Sequence, residues 1–176
     1  MTSVPENVDG ESVRLVPLDR RHLTRTRAWA NDPELMRLMD RARVVSEAEH
    51  QAWFEALARH GDRAYFGIET ASEALHVGNV WLSAIDRRHR KAELRVVIGD
   101  AAARGRGIGA AAIDRMCRHA FDELNLHRVY AYVLAINPAG RRAFERAGFA
   151  LEGTLRDDRL AGDGFIDTHL MARVSG

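Results

Sequence analysis

The chain has 176 residues, 46% hydrophobic and 29% charged, with a formal net charge of +1 at pH 7. That length suits one domain that buries a core without disulfides or structural metal, and the composition is neither that of a disordered chain nor of a membrane-embedded one. Acids and bases are interspersed, so no long-range field gathers nucleic acid, and no stretch reaches transmembrane length.

Residues 1–11 are polar and expected to be flexible, and the beginning lacks the apolar centre of a secretory signal, which makes a cytoplasmic location the expectation. Residues 12–18 alternate as a first strand, and Asp19 caps a helix through Leu23, Ala28 and Trp29 that stops near Asn31-Asp32-Pro33. Ser46 and Glu49 form an S-x-x-E capping box for a second helix, with Trp53, Leu57 and His60 on one face and Gly61 as terminator. Residues 64–70, 77–85 and 92–99 read as three strands, the last two joined by the charged turn 86–90.

From Gly107 a long helix places Ile113, Met116, Cys117, Ala120 and Leu124 inward, and Asp114, Arg115, Arg118 and Asp122 outward. Cys117, the single cysteine, is read as core filling. Residues 128–136 are β-branched and aromatic, the pattern of a strand covered on both faces. A short helix at 139–147 ends at Gly148, and 149–157 with 165–173 make a hairpin around Gly162-Asp163-Gly164. A strand, helix and strand in that order predict a right-handed parallel crossover within a mixed, mostly antiparallel α/β sheet.

The most informative stretch is Val97-Ile98-Gly99 followed by the loop and helix start from Arg104 through Gly105, Arg106, Gly107, Ile108, Gly109 and Ala110. Glycines let the backbone approach a ligand closely, and unpaired N–H groups at a helix start converge with its dipole, which suits a pyrophosphate. A tight strand-to-helix turn without a ligand has the same composition. No G-K-[ST] ending follows, so this is not a P-loop, and the next strand ends at Asn137-Pro138 rather than at an acidic ribose-binding residue. The eight histidines form no H-x-H or H-E-x-x-H pattern, and no metal is expected.

Arg104-x-x-Gly107-x-Gly109 after a strand is similar to the R/Q-x-x-G-x-G/A motif of the GNAT acetyltransferases. Asn137-Pro138 through Ala147-Gly148-Phe149 resembles their second conserved block. Trp29-x-Asn31-Asp32, Ser46-x-x-Glu49-His50-x-x-Trp53-Phe54 and Gly164-x-x-Asp167 look like the RimJ/RimL-type branch, which contains ribosomal-protein and amino-sugar acetyltransferases. The resemblance implies one GNAT domain with strands 4 and 5 parallel and splayed, the arm of acetyl-CoA lying between them. Backbone groups of Val97, Ile98 and Gly99 would then pair with that arm, 104–110 would hold the pyrophosphate, and Asn137 would contact the arm or cap the helix that begins at Pro138.

Glu93 matches a Glu used in the family as a base, and is equally read as a surface charge beside Lys91 and Arg95. Phe144 stands where many GNAT enzymes carry a Tyr that protonates the leaving thiolate, and Gly140 removes a nearby hydroxyl. Tyr130, Tyr132 and Ser83 are the alternative proton donors. The resemblance makes the acceptor a primary amine of a small molecule, such as an amino sugar or sugar nucleotide, or a protein N-terminus, and after these a polyamine, which would want an acidic cleft where the sequence shows no dense carboxylate cluster; a non-catalytic acyl-CoA sensor is the reading from another class. Arg41, Arg43, Arg87 and Arg88 are the compositional candidates for an acceptor's phosphates. Asp167 either orients the amine or accepts a hairpin hydrogen bond, and exposed apolar residues of the last hairpin suit a homodimer.

Overall fold

The computed structural model describes residues 13–57, 59 and 61–176. The expectations for 1–12 and for His60 lie outside the described residues. Among the described residues seven strands form one sheet: β1 Val13–Pro17, β2 Ala64–Thr70, β3 His76–Asp86, β4 Lys91–Ile98, β5 Arg128–Leu134, β6 Ala150–Ala161 and β7 Gly164–Val174. Their order is β1-β2-β3-β4-β5-β7-β6, antiparallel except for β4 and β5.

The sequence predicts two helices ahead of β2, and the described residues there form three α-helices: α1 Leu23–Ala30, α2 Pro33–Leu38 and α3 Glu47–Leu57. Asn31-Asp32-Pro33 ends α1 and starts α2 at once, since Asp32 accepts from the Leu35 N–H as N-cap and Pro33 needs no donor at the first helical position. A six-residue helix is too short to show helical periodicity. The capping box of α3 is formed, with the Ser46 N–H donating to Glu49 Oε2 at 2.9 Å and the Glu49 N–H donating to Ser46 Oγ at 3.2 Å.

On one face of the sheet α4, Ile108–Arg118, packs its apolar stripe of Ile113, Met116 and Cys117 against Leu82, Leu94 and Val129. Burial pushes the Cys117 thiol up to about 12, so it fills the core as an inert thiol. Asp114 does not simply face outward: it accepts from Arg118 at 2.7 Å and from Arg173 of β7 at 2.8 Å, tying α4 to the far half of the sheet. α5, Pro138–Arg146, follows β5 and packs beside α4, while α1, α2 and α3 cover the other face.

The expectation that the fifth strand is covered on both faces is corrected. Val129, Ala131 and Val133 are buried under α4, but Tyr130 and Tyr132 point to the opposite, partly open face, and Tyr132 is 42% exposed. Aromatic residues have high strand propensity whether or not they are covered, so composition did not distinguish the two cases.

Candidate active site

β4 pairs with β5 at only three positions, Lys91↔Arg128, Ala92↔Val129 and Glu93↔Tyr130. Beyond Glu93, β4 keeps its ladder with β3 as far as Ile98, and β5 keeps its ladder with β7 as far as Leu134. Each strand therefore stays paired on its outer side while the inner sides part as a V. Near the base of the V, β3 carries a bulge between Ser83 and Asp86, with Ala84 at φ 50, and bulges increase local twist.

The V opens toward the start of α4. Gly105 and Gly107 lie in the left-handed region at φ 75 and 79, and Gly107 is the N-cap of α4. A side chain is strained at both positions, and the resulting turn aims successive backbone N–H groups outward. The first intrahelical bond is from Ala111 to Gly107, so the N–H groups of Ile108, Gly109 and Ala110 have no partner within the helix. A groove of about 450 Å³ begins at this nest, runs along Val96, Val97 and Ile98, and is walled by Leu35 and Leu38 of α2, by Asn137 just ahead of α5, and by Arg142 and Arg146 of α5.

Two sequence expectations change here. The Gly99 N–H donates to Val77 O, which makes Gly99, and by alternation Val97, the positions whose backbone groups face β3. The groups turned into the V belong to Val96 and Ile98. Gly99 is required for another reason: a Cβ there would lie 1.9 Å from the indole of Trp29, which α1 seats against it. Arg104 spends its guanidinium on the protein, donating to Ile98 O at 3.0 Å, to Gly99 O at 3.2 Å and to Glu34 of α2 at 2.9 Å. It is a strut between β4 and α2, and what its loop presents to the groove is backbone. Arg106 lies exposed on that loop.

Asn137 caps α5, its Oδ1 accepting from the Gly140 N–H at 2.8 Å, and also borders the groove. A Cβ at residue 140 would fall 2.6 Å from the Asn137 side chain, so glycine at that site serves the cap. Phe144 is buried, stacks edge-on with Phe149 at 4.9 Å, and faces a small junction cavity of about 70 Å³ between the splayed strands. Tyr132 lines the same cavity.

Beyond the junction lies a cleft of about 390 Å³ on the face opposite α4, beneath α1 and α3. Ser83, Glu93 and Tyr130 stand side by side across β3, β4 and β5, and of the three Ser83 lines the cleft. Glu93 lies 3.2 Å from Arg95, and burial followed by the neighbouring Glu93 raises the pKa of Tyr130. Tyr65 and Trp81 stack at 4.8 Å on the cleft wall. Of the four arginines named from composition, Arg41 and Arg43 line the cleft, whereas Arg87 and Arg88 belong to the β3–β4 turn. Arg63, just ahead of β2, and Arg95, within β4, also line it, and no motif surrounds either to mark it in the sequence. Asp167 takes the hairpin role, accepting from the Asp157 N–H where β6 bulges.

Three features fit a ligand with a pyrophosphate and an extended amide arm: the two left-handed glycines, the unpaired helix-start donors, and an open strand edge leading away from them. Comparison with known proteins agrees with that geometry. The model of the acetyltransferase (GNAT) domain matches residues 12–150. Spermidine N(1)-acetyltransferase of Vibrio cholerae is 32% identical over 106 residues, a match spanning 60% of this chain and 60% of that protein. Probable N-acetyltransferase YjcK of Bacillus subtilis is 31% identical over 122 residues, covering 69% of this chain and 67% of that one. The crystal structure of spermidine N-acetyltransferase from Vibrio cholerae in complex with CoA and spermine superposes with a TM-score of 0.86 at 25% identity, covering 92% of this chain and 95% of that one. With its parallel pair splayed over a glycine nest and its matched domain spanning most of the described residues, the chain belongs to the GNAT acetyltransferase family.

Proposed function

We propose that this chain transfers the acetyl group of acetyl-CoA directly to the primary amine of a small molecule, with both substrates bound together. The observation that carries this reading is the continuity of the V: Met39 lines the groove at the α4 nest, the junction and the cleft, Val96 is shared by groove and junction and Val97 by groove and cleft, so a ligand arm entering at one end reaches an amine entering at the other. Acetyl-CoA supplies an activated thioester, and the protein supplies position, which replaces much of the cost of a bimolecular encounter.

In this reading the N–H groups from Gly105 to Ala110 hold the pyrophosphate, and Arg142 and Arg146 at the groove's rim add charge for the remaining phosphate. The backbone of Val96 and Ile98 pairs with the arm, and the Ile98 N–H stabilises the carbonyl oxygen as it gains charge. Glu93 takes a proton from the amine, directly or through water, because it is the carboxylate at the point where the strands part. Tyr132 and Thr168 are the hydroxyls on the junction cavity, and Tyr132, with the more acidic phenol, gives its proton to the departing thiolate, the part Phe144 cannot play. Asn137 orients the start of α5 against the groove.

The test is release of free thiol from acetyl-CoA by the purified protein across amino sugars, amino acids, peptides with free N-termini and polyamines, beside a calorimetric titration with coenzyme A. Turnover on a small amine is expected. Phe144 favours a second reading, an acyl-CoA sensor, and coenzyme A binding without turnover on any amine would select it.

A further inference from the structure

The cleft opposite α4 is lined by four arginines, Arg41, Arg43, Arg63 and Arg95, and by one carboxylate, Glu49. Glu49 is held by Arg43 at 2.7 Å, and Arg95 lies 3.2 Å from Glu93. Among the described residues Arg41 and Arg63 have no carboxylate within ion-pair distance. Like charges gathered around one concavity repel, and a fold keeps them there at lower cost when something negative enters.

A second observation on the same wall points to a ligand. His50 of α3 is 6% exposed, lines the cleft, and its Nε2 has no hydrogen-bond partner. Burial, then the charges of Arg27 and Arg41, hold the pKa of His50 below its ordinary value, so the ring is neutral and able to donate or accept. Buried polar atoms are nearly always satisfied, and an orphan nitrogen beside a cavity is satisfied by what the cavity binds. Trp29, Trp53 and Trp81 give the rest of the wall an apolar, planar character.

We propose that the acceptor amine of this protein also bears an anionic oxyacid group, a carboxylate or a phosphate, which Arg41 and Arg63 bind while His50 hydrogen-bonds the acceptor body. The proposal rests on the acetyltransferase reading above and narrows its acceptor. Guanidinium groups match carboxylate and phosphate oxygens in pairs, whereas a polyamine such as spermidine brings positive charge into a cleft that already holds four arginines. The relative whose name gives spermidine as substrate thus shares the fold, and the charge of this cleft selects a different acceptor.

The experiment uses matched amines that differ by the anionic group: tryptophan against tryptamine, glucosamine 6-phosphate against glucosamine, and spermidine as the polycation. At constant acetyl-CoA, the anionic member of at least one pair is expected to show a kcat/KM greater by about tenfold or more than its neutral partner and than spermidine. The first pair reports a carboxylate and the second a phosphate. Arg41→Gln and Arg63→Gln are expected to raise the KM for that anionic member about tenfold, leaving the neutral partner's KM and the coenzyme A affinity unchanged.

Binding without turnover is read by titrating inorganic phosphate into enzyme saturated with coenzyme A. Phosphate should bind the native protein and lose affinity about tenfold in the double variant Arg41→Gln/Arg63→Gln. Spermidine turning over as well as the anionic amines, or phosphate failing to bind the saturated enzyme, overturns the anionic acceptor while leaving acetyl transfer intact. Absence of coenzyme A binding would instead strike at the acetyltransferase reading itself.

Discussion

At the scale of single residues, the proposed chemistry centres where β4 leaves β5. Glu93 is the last residue of β4 paired to β5, flanked by Ser83 and Tyr130, so a carboxylate and two hydroxyls meet at one level of the sheet. Glu93→Gln should lower kcat/KM by about 10²-fold, the loss being greatest below pH 7 where less of the amine is already neutral; a pH–rate profile of the variant checks it, and an unchanged profile removes Glu93 from the mechanism. Phe144 is packed against Phe149 on the junction cavity, and Phe144→Tyr should change turnover by less than about tenfold if Tyr132 already donates the proton. Tyr132→Phe should then lower kcat by about tenfold with little change in the KM for acetyl-CoA, measured by steady-state kinetics on both variants.

At the scale of elements, the helices on the face opposite α4 are held by specific polar and steric contacts more than by broad apolar stripes. The Glu49 carboxyl is lowered from its usual 4.5 to about 2, chiefly by the backbone N–H of Ser46 and then by Arg43. A carboxylate held below its unfolded pKa adds stability that is present above about 4.5 and lost as pH falls toward 2. Glu49→Gln should therefore flatten the pH dependence of the urea midpoint in that window and leave the stability difference largest near neutrality. α1 is seated by Trp29 on Gly99 and by Arg25, which reaches Asp100 at 2.6 Å and His76 O at 2.7 Å. Gly99→Ala must displace the indole, and urea unfolding should show a loss of about 1–3 kcal/mol, the usual range for overpacking.

At the scale of the whole molecule, one open seam joins ligand binding to stability. Ligand that binds only the folded state raises stability by about 2.7 kcal/mol at a hundred times its Kd, so coenzyme A should raise Tm measurably. Gly107→Ala places a side chain at φ 79 and disturbs the nest, and most of that Tm increase should disappear in differential scanning fluorimetry. Gly109→Ala is the control: a Cβ there meets nothing nearer than 3.7 Å, so it should keep the response. The far edge of the sheet exposes Leu160 and Phe165 on the last hairpin, 67% and 64% accessible, the apolar surface that the homodimer expectation named.

Much of this was legible in the chain itself. The strand pattern, the capping box at Ser46, the apolar stripe of α4 and the glycine loop are local signals, written in neighbouring residues that interact within a few turns or one hairpin. The family resemblance rested on the same local blocks. What only the tertiary structure decided are facts about direction and partnership. Whether Val96 or Val97 faces the V depends on which strand edge β3 occupies. That Arg104 braces α2 depends on Glu34, 70 residues away, and that Gly99 seats Trp29 depends on where α1 crosses β4. The cleft opposite α4 collects Arg41, Arg63 and Arg95 from a loop, the lead into β2 and the middle of β4, and no periodicity relates them. Their convergence exists only after the sheet has formed, because side chains on one face become neighbours through register between strands, which sequence spacing does not encode.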